Sequence, residues 1–73
     1  MKKNDLIKGL TDSIALQGEL EYFTDAQIAH VIEDKEKLEQ TTHMKVKLLE
    51  VKKLTSDSIH YSFEVPFNVM EKN

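Results

Sequence analysis

From Ile59 to Val69 every second residue is β-branched or aromatic: Ile59, Tyr61, Phe63, Val65, Phe67 and Val69, with His60, Ser62, Glu64, Pro66 and Asn68 between them. Side chains on a strand alternate between two faces, so this stretch reads as a strand with one buried face. A helix would scatter the same apolar groups round its axis. The strand needs a neighbour, because its backbone N–H and C=O groups must be paired. Met44, Val46 and Leu48 alternating with Lys45 and Lys47 provide one, and Thr55-Ser56-Asp57-Ser58 provides the turn. The pattern predicts an antiparallel β-hairpin of about residues 44–54 and 59–69.

The hairpin carries an internal conflict. A two-residue loop at Ser56-Asp57 sets Leu54 opposite Ile59, Leu48 opposite Val65, Val46 opposite Phe67 and Met44 opposite Val69. The same register puts Glu50 beside Phe63 and Lys52 beside Tyr61 on the buried face, and turns Leu49 and Val51 outward. A slip of one residue reverses every side chain. A β-bulge near Leu49-Glu50, or a sheet apolar on both faces, resolves the conflict.

The first half of the chain reads as helix. Thr24 followed three positions later by Gln27 is a capping box, and Phe23 with Ile28 makes a hydrophobic staple across it. At 100° per residue, Ile28, Val31, Ile32, Lys35 and Leu38 share a side, with His30, Glu33, Asp34 and Lys37 on the other. Lys35 in that apolar stripe is read as a snorkelling side chain. The helix spans about 25–40 and ends near Thr41-Thr42. A second helix is predicted over about 5–17, capped by Asn4, with Leu6, Ile7, Leu10, Ile14 and Gln17 inward and Gly18 just past its end. Residues 14–22 carry a competing strand pattern in Ile14, Leu16, Leu20 and Tyr22.

These elements make an α+β domain, 1–73, with two N-terminal helices packed on a C-terminal hairpin whose sheet a second copy extends. Seventy-three residues hold one small core. With no Cys, disulfides and thiolate chemistry are excluded. No apolar run approaches the ~20 residues of a membrane span or the ~7–15 of a signal-peptide core, so a cytoplasmic protein without a membrane partner is expected.

Charge is uneven along the chain. Residues 1–10 carry three Lys against Asp5. Residues 11–43 carry eight acids against Lys35 and Lys37, and residues 44–73 carry five Lys against four acids. The net charge is -3 and every basic residue is Lys.

No enzyme motif emerges. Gly9 and Gly18 are too far apart for a phosphate-cradling loop, and no Ser lies in a nucleophile-elbow context. No catalytic, cofactor-binding or metal-ligating residue is assigned. His30 with Glu33 and Asp34 has ligand spacing but reads as a solvated helix face with an ordinary i, i+4 pair. Nucleic acid is disfavoured as a partner, because the exposed face of helix 25–40 is acidic and the chain has no Arg.

The sequence therefore points to a non-catalytic accessory or regulatory protein that binds another protein, as a homodimer. Its candidate contacts are Glu33, Asp34 and Lys37 on the helix, and Leu49, Val51, His60, Ser62 and Glu64 on the hairpin. The 59–69 edge lacks Lys and is the expected pairing edge, whereas 44–54 is guarded by Lys45, Lys47, Lys52 and Lys53. The alternative is a nucleic-acid-linked regulator, binding DNA through the hairpin lysines or imitating DNA with its acids. A structural subunit of a larger assembly is the third reading.

Overall fold

The computed structural model describes residues 2–65 in full and residues 68–72 as backbone. The chain is α+β: α1 (Lys3–Leu10), α2 (Ile14–Leu20), α3 (Asp25–Thr42), β1 (Lys47–Lys53), β2 (Ile59–Val65) and β3 (Asn68–Lys72). The three strands form one antiparallel sheet in the order β1-β2-β3. Helix α2 lies against β1, α3 lies against β2, and α1 touches both helices.

Helix α3 begins as its sequence dictates. The Thr24 hydroxyl accepts from the Gln27 backbone N–H at 3.1 Å, and the Gln27 side chain accepts from the Thr24 N–H at 3.0 Å. Phe23 and Ile28, the staple pair, are both buried. The Gln27 amide also donates to the Ser56 carbonyl at 3.1 Å, so one side chain joins the helix start to the hairpin turn. The helix ends when His43 enters the left-handed region at φ 58°, where its N–H reaches the Glu39 carbonyl. That N–H closes off an otherwise unpaired terminal carbonyl.

The first predicted helix is two helices. Thr11-Asp12-Ser13 interrupts it, and the Ser13 hydroxyl accepts from the Leu16 N–H to start α2 afresh. Ser and Thr side chains compete for backbone groups in this way, which is why they favour caps over helix interiors. The break resets the helical phase. Leu6, Ile7 and Leu10 still face the core, but Ile14 is 85% exposed while Leu16 and Leu20 turn in. Gly18 lies within α2 rather than past its end, and Lys2, not Asn4, stands at the cap of α1. The strand reading of 14–22 is replaced by helix and turn, with Tyr22 exposed.

The strand at 59–69 ends at Val65, and residues 68–72 return along the far side of β2 as β3. Pro66, Phe67 and the Val69 side chain lie outside the described residues. β2 is thus the central strand. Its second edge, expected to be open, is occupied by the chain itself.

The hairpin register differs from expectation by its loop. Three residues, Thr55–Asp57, form the turn, and the Leu54 N–H donates to the Ser58 carbonyl at 2.9 Å. The extra loop residue shifts the pairing, so Lys53 faces Ile59 and Val51 faces Tyr61. Val51 therefore points into the core rather than outward. Beyond Glu50, which faces Ser62, the register shifts again so that Leu48 faces Phe63, leaving Leu49 as the extra residue of a β-bulge. Of the two resolutions the sequence left open, the structure adopts the bulge near Leu49-Glu50. It lets Leu48 and Val51, an odd spacing apart, share one face.

The core on that face is apolar and continuous. Leu20, Phe23, Ile28, Val31, Leu48, Tyr61 and Phe63 are its largest fully buried side chains. The Tyr61 and Phe63 rings meet edge to face at 5.5 Å between centroids, a favoured aromatic geometry.

If Leu49 serves only to absorb the phase change, deleting it restores regular alternation and keeps Leu48 opposite Phe63. The deletion variant should unfold cooperatively with a thermal midpoint within about 8 °C of the parent, a shift of ~1 kcal/mol at this size. Deleting Lys52 instead should shift Val51 off the buried face and abolish the cooperative transition. Two calorimetric scans decide the point, and equal damage from both deletions would refute the assignment.

Candidate functional site

Two surface features combine polar chemistry with shape. The first lies where α3 crosses β2. The Tyr61 hydroxyl donates to the Asp34 carboxylate, and His30 Nε2 stands 3.8 Å from the same oxygen. His30 also meets the Tyr61 ring edge to face at 6.2 Å. Residues His30 and Asp34 are one turn apart on α3, so the helix delivers both to the same strand position. Beside them Ala26, Gln27, Asp57, Ser58 and Ile59 complete a cleft of about 320 Å³.

Burial first, and then the hydrogen bond to the Asp34 carboxylate, push the Tyr61 phenol above its ordinary value of 10.0. Tyr61 is therefore a protonated structural donor over the physiological range. Asp34, read from the sequence as part of a solvated face, is turned toward the sheet. Among the described residues no group of His, Asp and Glu gathers as metal ligands would.

The second feature is a groove of about 610 Å³ between the α1–α2 connection, α3 and the approach to β1. Lys8, Lys35, Lys45 and Lys47 line it, with Asp12 as the one acid of its wall. Leu10 and Val46, both buried, give it an apolar floor.

The groove is held together by Glu39. One carboxylate oxygen, Oε2, accepts from the Val46 N–H at 3.0 Å and from Lys35 Nζ at 3.1 Å. The clip fixes the entry of β1 onto α3, and it explains Lys35: the stem runs along the core side of the helix and the ammonium ends on a carboxylate. The Val46 hydrogen bond foremost, with Lys35 and Lys45 nearby, lowers the Glu39 carboxyl below its ordinary 4.5 although partial burial opposes this. Among the described residues Lys8, Lys45 and Lys47 form no ion pair, although Lys45 acts on Glu39 and Lys47 stands opposite Glu64 on β2.

The residues expected as contacts are not brought together. Glu33 and Lys37 form an exposed ion pair of 3.1 Å along α3. His60, Ser62 and Glu64 alternate with Tyr61 and Phe63, so they belong to the sheet face turned away from α3, with Glu50 and Lys52 paired opposite on β1. Leu49 is exposed at the bulge. Val51 and Ser62, each 3% exposed, are withdrawn from any partner. Val51 is buried by the three-residue loop and its register, and Ser62 by its small size in a strand paired on both sides. The hairpin lysines do not form one strip either, since Lys53 donates to the Tyr22 carbonyl at 2.9 Å while Lys45 and Lys47 are among the residues lining the groove, Lys47 standing opposite Glu64 on β2.

Sequence reading missed Lys8 and Glu39. The available signal was the basic balance at both ends of the chain, which no local pattern joins. No family model, curated protein or solved structure matches this chain. Among the described residues no helix is long and apolar enough to cross a membrane.

Both hydrogen-bonded acids predict pH effects of opposite sign. The Glu39 carboxyl is lowered in the fold, so its contribution is complete above about pH 4.5 and is lost as pH falls through the lower folded value. Glu39→Gln should flatten the acid side of the stability curve, measured by urea unfolding between pH 2 and pH 7; an unchanged acid limb would show the clip to be inert. The Tyr61 phenol is raised, so its contribution holds below pH 10.0 and is lost as pH climbs above it. Tyr61→Phe should cost about 1–2 kcal/mol at neutral pH and remove the alkaline decline.

Proposed function

We propose that this chain is a non-catalytic accessory domain that acts by binding another protein through the outer edge of β1. One observation supports the reading above the rest: β2 is enclosed between β1 and β3, so among the described residues no strand pairs with the outer edge of β1, which has the lysine groove at its start. Edge strands offer a row of unsatisfied N–H and C=O groups to an incoming extended segment. The homodimer expected through 59–69 would need the edge that β3 holds, so the docking element moves to β1. Lys47, Lys52 and the bulge at Leu49 oppose pairing with an identical strand, which favours a foreign partner over a second copy.

The Tyr61–Asp34–His30 cluster supports no competing catalytic reading. Its phenol is held protonated and its carboxylate is occupied by that phenol, so neither serves as a base. A cytoplasmic setting belongs to the same proposal. A nucleic-acid partner for the groove lysines is the second reading, favoured by their convergence, and opposed by the exposed acids Glu33 and Glu36 on α3.

Site-specific photocross-linking in the native host separates these. A photoreactive amino acid in place of Leu49 should trap a protein partner, while the same group at Glu33 on α3 should trap little. A cross-linked band at twice the 8.5 kDa chain mass would establish the homodimer instead. Adducts at neither position, or nuclease-sensitive adducts at 49, would overturn the protein-binding reading.

A further inference from the structure

We propose that the groove of Lys8, Lys35, Lys45 and Lys47 receives an acidic, extended segment of the partner protein, which continues along the start of the β1 edge. This inference rests on the protein-binding reading above and specifies the chemistry of the partner.

The argument begins with where the charges come from. Lys8 closes α1, Lys35 lies midway along α3, and Lys45 and Lys47 lead into β1. Only the tertiary fold makes them neighbours, in a chain whose net charge is -3. Converging like charges raise the energy of the folded state unless something of opposite sign offsets them. Lys35 is paired with Glu39, which Lys45 also approaches, and Lys47 stands opposite Glu64 on β2, but among the described residues Asp12 is the one acid of the groove wall. The described wall of the groove thus sets four lysines against one acid.

Shape narrows the ligand. The groove volume falls in the ~300–1,000 Å³ range of ligand sites, its floor is Leu10 and Val46, and Lys47 is the first residue of β1, whose outer edge pairs with no described strand. Carboxylates on ~3.3 Å spacing along a strand meet the lysines, while the segment's backbone meets the N–H and C=O groups of the β1 edge. Lysines that guard such an edge against copies of the same strand attract a strand of the opposite sign. Duplex nucleic acid fits less well, since the exposed acids Glu33 and Glu36 of α3 would face a wide polyanion.

The test uses the full chain, isotope-labelled, titrated with a ten-residue peptide alternating Glu and Thr. The expected result is saturable amide shifts confined to residues 8–13 and 45–49. Binding should weaken with added salt and fall at least ~10-fold for the Gln-Thr peptide. Lys45→Glu combined with Lys47→Glu should abolish binding with an unchanged circular dichroism spectrum, whereas Lys37→Glu, on the exposed flank of α3 away from the groove and the β1 edge, should leave affinity unaltered. Equal affinity for the Gln-Thr peptide, shifts elsewhere, or no binding would overturn the proposal. So would tighter binding of a duplex DNA or of inorganic pyrophosphate than of the Glu-Thr peptide. A protein cross-link at Leu49 alongside a failed peptide titration would reject the acidic segment and leave the protein-binding reading standing.

Discussion

The pairing of β1 with β2 is the constraint on which the remaining structure depends. Two runs of alternation in β1 are out of phase, and the bulge at Leu49 brings both Leu48 and Val51 to the face that holds Tyr61 and Phe63. Without that correction one half of the strand would present Glu50 and Lys52 to the helices. Burying an unpaired charge costs far more than an apolar side chain returns, so the choice of register is steep. Once it is made, the sheet has one apolar face, and α2 and α3 have a surface to cover.

Two polar clips then fix where α3 sits. At its start Gln27 completes the capping box and holds the Ser56 carbonyl of the turn; toward its end Glu39 holds the Val46 N–H as the chain enters β1. Between them Tyr61 reaches Asp34. Each joins a group on the helix to one on the hairpin, and the Glu39 and Asp34 bonds satisfy partly buried polar groups. The same Glu39 clip brings Lys35 and Val46 to one wall of the groove, so the element that secures the fold also shapes the surface proposed to bind a partner.

Charge segregation follows from this arrangement. The basic start of the chain and the basic approach to β1 meet at the groove, while Glu33 and Glu36 remain on the exposed flank of α3. The groove is thus positive in a protein that is negative as a whole. Such local fields govern which partners approach and in what orientation, more than they govern stability.

The sequence by itself determined the α+β class and the start of α3, and it narrowed the conflict in β1 to a bulge near Leu49-Glu50 or a sheet apolar on both faces. Each rests on neighbours within a few residues: a capping box, a staple, an alternation of period two that fails at a known place. It also placed the apolar residues of α3 and β2 correctly. The break at Thr11–Ser13 was written in capping residues but masked by an apolar pattern that ran through it. Tertiary structure alone decided the rest. The loop took three residues rather than two, which buried Val51. The chain turned back as β3, which closed the edge of β2 and withdrew Ser62. Lys8, Lys35, Lys45 and Lys47 became one groove because α1, α3 and β1 pack together. Short-range pattern reports periodicity and caps, but it carries no information on which distant segments share a surface; that is settled by burying the most apolar area with every polar group paired.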